Sequence, residues 1–189
     1  IRVRQQAPIP LDADFTVPGR AITAVFGPSG SGKTTLLRTI AGLYRPAEAE
    51  IRRGDVTWTS TTRRVDVPAH RRPVGMVFQD ALASLNPVFA VGWQISERLR
   101  VQGMSRTSAR QKAVQLMQQI GIPDAERRYG AFPHQFSGGM RQRIMIAIAL
   151  ASDPSLLVCD EPTTALDVTI QAQILDLLRR YQRESHTAM

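Results

Sequence analysis

Cysteine is almost missing from this chain. Cys159 stands alone among 189 residues, so no disulfide can form within it. Its place in an apolar run gives it the part of a small buried hydrophobe with an inert thiol. Long apolar stretches are missing too. The longest unbroken one, Ile144 to Ala151, falls far short of the roughly 20 residues that a membrane-spanning helix needs. No basic segment followed by an apolar one opens the chain, so no secretory signal is read. Lysine is scarce: Lys33 and Lys112 are the only two, and arginine supplies nearly all of the basic charge behind a net +8. The arginines come in dispersed pairs (Arg52-Arg53, Arg63-Arg64, Arg71-Arg72, Arg127-Arg128, Arg179-Arg180). They form no tract and have no interleaved aromatics, which reads as solvated surface and not as a nucleic-acid footprint. There is no internal repeat and no low-complexity segment. What remains, with 43% hydrophobic and 21% charged residues, is the composition of one ordinary globular domain suited to the cytoplasm.

One stretch organises the rest. Gly27-Pro28-Ser29-Gly30-Ser31-Gly32-Lys33-Thr34 fits G-x-x-x-x-G-K-[ST] without mismatch. Before it, Ala21 to Phe26 reads as a buried strand. After it, Thr35 to Ala41 reads as a helix stopped by Gly42. The glycines let the backbone turn with φ > 0 and bring its N–H groups close to an anion, while the helix N-terminus adds partial positive charge. Lys33 is placed to reach the β- and γ-phosphates of a nucleoside triphosphate, and the Thr34 hydroxyl to ligate Mg²⁺.

Around this stretch the texture changes twice. Residues 1–20 alternate as an antiparallel hairpin, and short strands are expected at 50–52, 55–58, 64–67 and 74–78. From about Ala81 to Ser152 the helical period takes over. Arg106 to Ile120 puts Ala109, Ala113, Leu116, Met117 and Ile120 on one face, and a second helix runs from Gly138 to Ser152. Strand returns at Ser155 to Cys159, then a helix at Ile170 to Arg183 with Ile174, Leu177, Leu178 and Tyr181 inward. The fold class expected is α/β: a P-loop core with a mostly parallel sheet and an N-terminal antiparallel portion, interrupted by a helical insertion.

Two further patterns carry chemistry. Leu156-Leu157-Val158-Cys159 runs into Asp160-Glu161. An acid at the end of a strand beside the phosphate loop holds Mg²⁺ through water, the role that fits Asp160. A second acid directly after it is placed to polarise the attacking water, the role that fits Glu161. Ser137 is a good N-cap, and Gly138 and Gly139 leave the helix N-terminus open to a phosphate.

Taken together these motifs resemble the ATP-binding subunit of an ABC transporter, in family order and over nearly the whole chain. Gly27 to Thr34, with Thr35 following, is similar to the Walker A loop. Gln79 resembles the Q-loop glutamine, Ser137-Gly138-Gly139-Met140-Arg141-Gln142 the signature, Leu156 to Glu161 the Walker B strand, and Thr164-Ala165-Leu166-Asp167 the D-loop. The resemblance implies one ABC ATPase domain, with residues 1–79 and 153–189 as nucleotide-binding core and 80–152 as helical subdomain. It implies ATP and Mg²⁺ as cofactors, with Thr34, Gln79 and Asp160 around the metal and Glu161 and Gln79 serving catalysis. It also implies a second ATPase subunit, identical or different, closing head to tail so that Ser137 and Gly139 meet the γ-phosphate of the partner's ATP. Further partners are transmembrane permease subunits and, indirectly, an extracytoplasmic substrate-binding protein. The expected location is the cytoplasmic face of the bacterial inner membrane, peripheral, with no nucleic acid bound.

Two family features are not matched. No aromatic residue is assigned to stack on adenine, since Phe15 shares its register with inward residues. The switch histidine belongs on a strand after the helix ending near Arg183, where the chain stops, so that strand is expected to be missing and His186 to lie on the surface. The segments 78–95, 132–143 and 160–173 resemble dipeptide, oligopeptide and nickel importers, whereas the first 78 residues are closer to molybdate-type importers. Peptides or nickel are the expected cargo. The alternatives are an ATP-binding remnant or regulatory half-site without turnover, and a non-transport ABC ATPase acting on nucleic acid.

Overall fold

Alternating side chains in the first residues fold as a hairpin: β1 (Arg2–Gln5) pairs antiparallel with β2 (Leu11–Asp14), Val3 opposite Ala13. Val3 is fully buried, while Arg2–Asp14 at 2.7 Å and Arg4–Asp12 at 3.0 Å pair across the exposed face. A computed structural model describes residues 1–164 and 166–189, and all side chains among them except those of Ala81 and Leu82. β1 also pairs with β3 (Glu48–Arg53), which leads to β4 (Val56–Ser60) and β5 (Val65–Asp66). All are antiparallel, in the order β2-β1-β3-β4-β5. Helix α1 (Lys33–Ala41) lies between this sheet and a parallel pair, β6 (Val74–Val77) with β7 (Leu156–Cys159), in which Val77 stands opposite Cys159.

Between β6 and β7 the chain is helical: α2 (Ala81–Ser84), α3 (Val91–Val101), α4 (Arg106–Gln119), α5 (Ala125–Arg128) and α6 (Gly138–Leu150). After β7 comes α7 (Val168–Ser185). Two apolar clusters result. Val3, Leu36, Ile40, Ile51, Trp58, Val74 and Val158 join the antiparallel sheet, α1 and the parallel pair. Ile95, Leu99, Met117, Ile144, Leu157, Ile174 and their neighbours join the helices to β6 and β7. The α4 face expected at 109, 113, 116, 117 and 120 is buried throughout, and Phe15 packs partly buried against the first cluster. His186 is exposed, in the left-handed region at the end of α7.

Three expectations are corrected. Residues 21–26 do not form a strand, and Ile22, Val25 and Phe26 are exposed, Phe26 by 91%. The reason lies beside them. The last residues enter between this segment and β7: Leu157 N donates to Ala188 O, Met189 N to Ala21 O, and Thr23 N to Met189 O. Beside them lies a cavity of about 410 Å³, lined by Thr23, Val25, Lys33, Leu157, Cys159 and Leu178. Beyond the bonds at Ala21 and Thr23, residues 21–26 have no backbone partner among the described residues, and the segment is irregular. The parallel sheet is correspondingly small, and the antiparallel sheet is the larger one among the described residues.

Nor are all arginines solvated. Arg72 is 3% exposed. Its guanidinium donates at the C-terminal end of α1, to Ile40 O at 2.8 Å and to Thr39 O at 3.1 Å, which also accepts from Gly42 N–H at 3.0 Å. It also donates to Thr59 Oγ1 at 2.7 Å, Val67 O at 2.7 Å and Asp66 Oδ1 at 3.3 Å. Arg143 does the same for α4, donating to Ile120 O at 2.7 Å and Gln173 Oε1 at 2.8 Å. At both helix ends a glycine makes room. Gly42, at φ +78°, caps α1 in the left-handed region, and a Cβ there would lie 2.7 Å from Arg72 Nε. At Gly121 a Cβ would lie 2.9 Å from the Arg143 guanidinium.

Two outcomes follow. Arg72→Met leaves Ile40 O without a donor and takes one of two donors from Thr39 O, which keeps Gly42 N–H, and from Asp66, which keeps Arg45. It is expected to cost about 2–4 kcal/mol in urea unfolding, and a change below about 0.5 kcal/mol contradicts the clamp. Burial pushes the Cys159 thiol up to about 12. Its thiolate is therefore scarce at neutral pH and grows only in strong base. Cys159 is half-buried at the cavity wall. Alkylation by iodoacetamide at pH 8 is expected to run at least about a hundredfold slower than for a free thiol, and parity with free cysteine refutes the raised thiol pKa.

Candidate nucleotide site

Helix α1 begins without a side-chain cap and with no acidic residue in its first turn. Its N-cap is Gly32 at φ +89°, a conformation that a side chain would strain. The first amide donors and the positive end of the helix are thus left for an anion. The loop before it is closed on itself: Ser31 N donates to Pro28 O at 3.3 Å, and Lys33 Nζ folds back onto Gly27 O and Pro28 O, each at 2.8 Å. These carbonyls hold the ammonium over the loop, where a phosphate would compete for it. Pro28, Ser29, Gly30 and Ser31 are exposed, Lys33 and Thr35 half-buried, and Thr34 exposed.

The parallel pair delivers the acids. Val77 opposite Cys159, followed by Asp160 N donating to Val77 O at 2.9 Å, fixes both chains where they leave the sheet. Asp160 is 5% exposed, and its Oδ1 accepts from Thr34 Oγ1 at 3.0 Å. A hydroxyl and one carboxylate in contact, with Thr34 exposed, fit Mg²⁺, which keeps several waters and takes few protein ligands. Glu161 and Gln79 are exposed and meet directly: Gln79 Nε2 donates to Glu161 Oε2 at 3.2 Å. Glu161 sits at φ +49°, a strained region for glutamate.

The other predicted residues lie apart. Ser137 N-caps α6, accepting from Met140 N at 3.4 Å. Gly138 is exposed and unobstructed. Gly139 is buried, and a Cβ there would lie 2.8 Å from Ile170 Cγ2, so its smallness serves packing on α7. Met140 and Arg141 are half-buried, and Gln142 is 3% exposed with Nε2 lacking a partner among the described residues. Among the described residues no hydrogen bond links 137–142 to 27–35. Asp167 N-caps α7 by accepting from Ile170 N at 3.0 Å, and Ala165 before it lies outside the described residues.

Two residues were missed by sequence reasoning. Thr164 donates to Glu161 Oε2 at 3.0 Å. A hydroxyl three residues beyond an acid in a Pro-containing turn was the available signal. Arg72 was the other, and an arginine just before an apolar strand gives no sign of burial.

Comparison with known proteins follows the same lines. The family described as ABC transporter matches residues 11–164. A Brucella melitensis protein named as a peptide import ATP-binding protein is 49% identical over 190 residues, covering 94% of this chain and 56% of its own length. The oligopeptide transport ATP-binding protein OppD of Lactococcus lactis is 44% identical over 184 residues, covering 94% of this chain and 54% of its own. The chain therefore spans about half the length of the curated relatives it matches. Among solved structures, the dimeric post-hydrolysis state of the ATP-binding cassette MJ0796, bound to ADP and Pi, aligns with a TM-score of 0.76 at 28% identity, over 94% of this chain and 76% of that one. With its phosphate loop, paired acids and helical insertion matched over most of its length, the chain belongs to the ABC transporter family.

Proposed function

We propose that the chain is the ATP-binding and hydrolysing part of an ABC importer for peptides, with nickel as the alternative cargo. The observation that carries it is the convergence of Thr34, Asp160, Glu161 and Gln79 at the ends of β6 and β7, beside an uncapped helix N-terminus. The peptide cargo rests on the names of the relatives. In this reading there is one ABC ATPase domain, with core segments 1–79 and 153–189 around a helical subdomain 80–152, joined by the second apolar cluster, in which Val77, Leu157 and Ile174 pack with the helices.

In this reading Lys33 exchanges its loop carbonyls for β- and γ-phosphate oxygens, and the loop amides bind the rest of the phosphate chain. Thr34 and Asp160, with Gln79, hold Mg²⁺, which when bound neutralises phosphate charge. Gln79 orients the attacking water, and Glu161 takes its proton. Ser137, Gly138 and Gly139 serve the ATP of a second cassette; the dimeric state of MJ0796 supports that arrangement. On the helical block Phe89 and Trp93 stack at 4.4 Å on the surface beside exposed Val88. That apolar patch supports a permease partner and a peripheral place on the cytoplasmic face of the inner membrane. No helix among the described residues is long and apolar enough to cross a membrane.

A second reading, an ATP-binding remnant or regulatory half-site, is favoured by the cavity beside Lys33, between residues 22–26 and β7: the 189 residues bind ATP without turning it over. Steady-state MgATP hydrolysis separates the two. Turnover by these residues alone supports the first. MgATP binding without turnover supports the second. Lys33→Ala is expected to weaken MgATP binding by about a hundredfold or more in titration calorimetry, because the phosphates lose their charge-assisted donor; unchanged affinity overturns the placement of the nucleotide.

A further inference from the structure

Both hydrogen bonds received by the Glu161 carboxylate fall on one oxygen. Gln79 Nε2 donates to Oε2 at 3.2 Å, and Thr164 Oγ1 donates to the same atom at 3.0 Å. No donor among the described residues meets Oε1. A carboxylate acting as general base must aim one oxygen at its water, and fixing the other is how a protein achieves that.

Thr164 reaches this place through a local turn. Its N–H and its hydroxyl each lie 3.4 Å from Glu161 O, so the residue is folded back over the glutamate that precedes it by three. The turn is anchored from α7, where Gln171 Nε2 donates to Thr163 O at 3.1 Å and to Leu166 O at 3.0 Å. Gln79 has a competing duty in the proposed function, at the water and the metal. When its amide turns to them, Thr164 is the donor left on Oε2.

Resting on the reading of Glu161 as base, we propose that Thr164 is a positioning residue. It fixes Oε2 so that Oε1 faces the attacking water. In the step it serves, the water oxygen bonds to the γ-phosphorus as its proton passes to Oε1. The bond from that phosphorus to the bridging oxygen breaks, and its electron pair leaves with ADP.

Thr164→Val keeps the shape and removes the hydroxyl, Thr164→Ser keeps the hydroxyl, and Glu161→Gln removes the base. Each is measured for kcat, KM for ATP and thermal midpoint in the 189-residue chain. The expected result is a kcat about tenfold lower for Thr164→Val with KM within twofold, near-normal turnover for Thr164→Ser, and a loss beyond a hundredfold for Glu161→Gln. Wild-type kcat in Thr164→Val beside a dead Glu161→Gln overturns the role of Thr164 alone. Equal impairment of the valine and serine variants, with KM and midpoint falling together, makes Thr164 a turn residue and overturns it as well. Normal turnover by Glu161→Gln, or none by any version, overturns the reading of the base and this proposal with it.

Discussion

The parallel pairing of β6 with β7 is the constraint on which the site depends. Four residue pairs, from Val74 opposite Leu156 to Val77 opposite Cys159, bring together stretches separated by the whole helical block. A shift of one residue would turn Leu157 and Val158 to the wrong faces and carry Asp160 away from Thr34. In the observed register Leu157 packs into the helical cluster and Val158 into the cluster around α1. The same four pairs therefore hold the two apolar clusters side by side and set Gln79 against Glu161.

Arginine does the work at the far ends of the helices. Arg72 holds α1 at the end opposite the phosphate loop, and Arg143 holds α4 against α6 and α7. A guanidinium presents several donors in one plane, so it answers two carbonyls and a side chain at once, which an ammonium on a flexible stem does less well. A chain with two lysines and many arginines is suited to such clamps, and part of its basic charge is spent inside.

Much of the fold was legible. The loop and helix around Lys33, the face of α4, and the acids after an apolar run depend on local pattern, and local pattern is what a sequence displays. The strand expected at 21–26 failed because apolar character says that a segment wants burial, not that a neighbour is there to bond it. Arg72 was misread because its partners are backbone carbonyls far along the chain, which have no side-chain signature. Thr164 was visible only as part of a motif. Its contact with Glu161 depends on the turn that Pro162 opens, and on which carboxylate oxygen the turn brings near.

The glycine–arginine pairs have an evolutionary consequence. A Cβ at Gly42 would stand 2.7 Å from Arg72, and one at Gly121 would stand 2.9 Å from Arg143. The left-handed backbone strains a side chain at either glycine whether or not the arginine is there, and at Gly42 a Cβ would also press on the buried Arg72 head. The dependence therefore runs one way: the arginine needs the room the glycine leaves, whereas the glycine is held by its own φ. In diverging relatives the arginine is expected to be lost with the glycine still in place more often than the reverse.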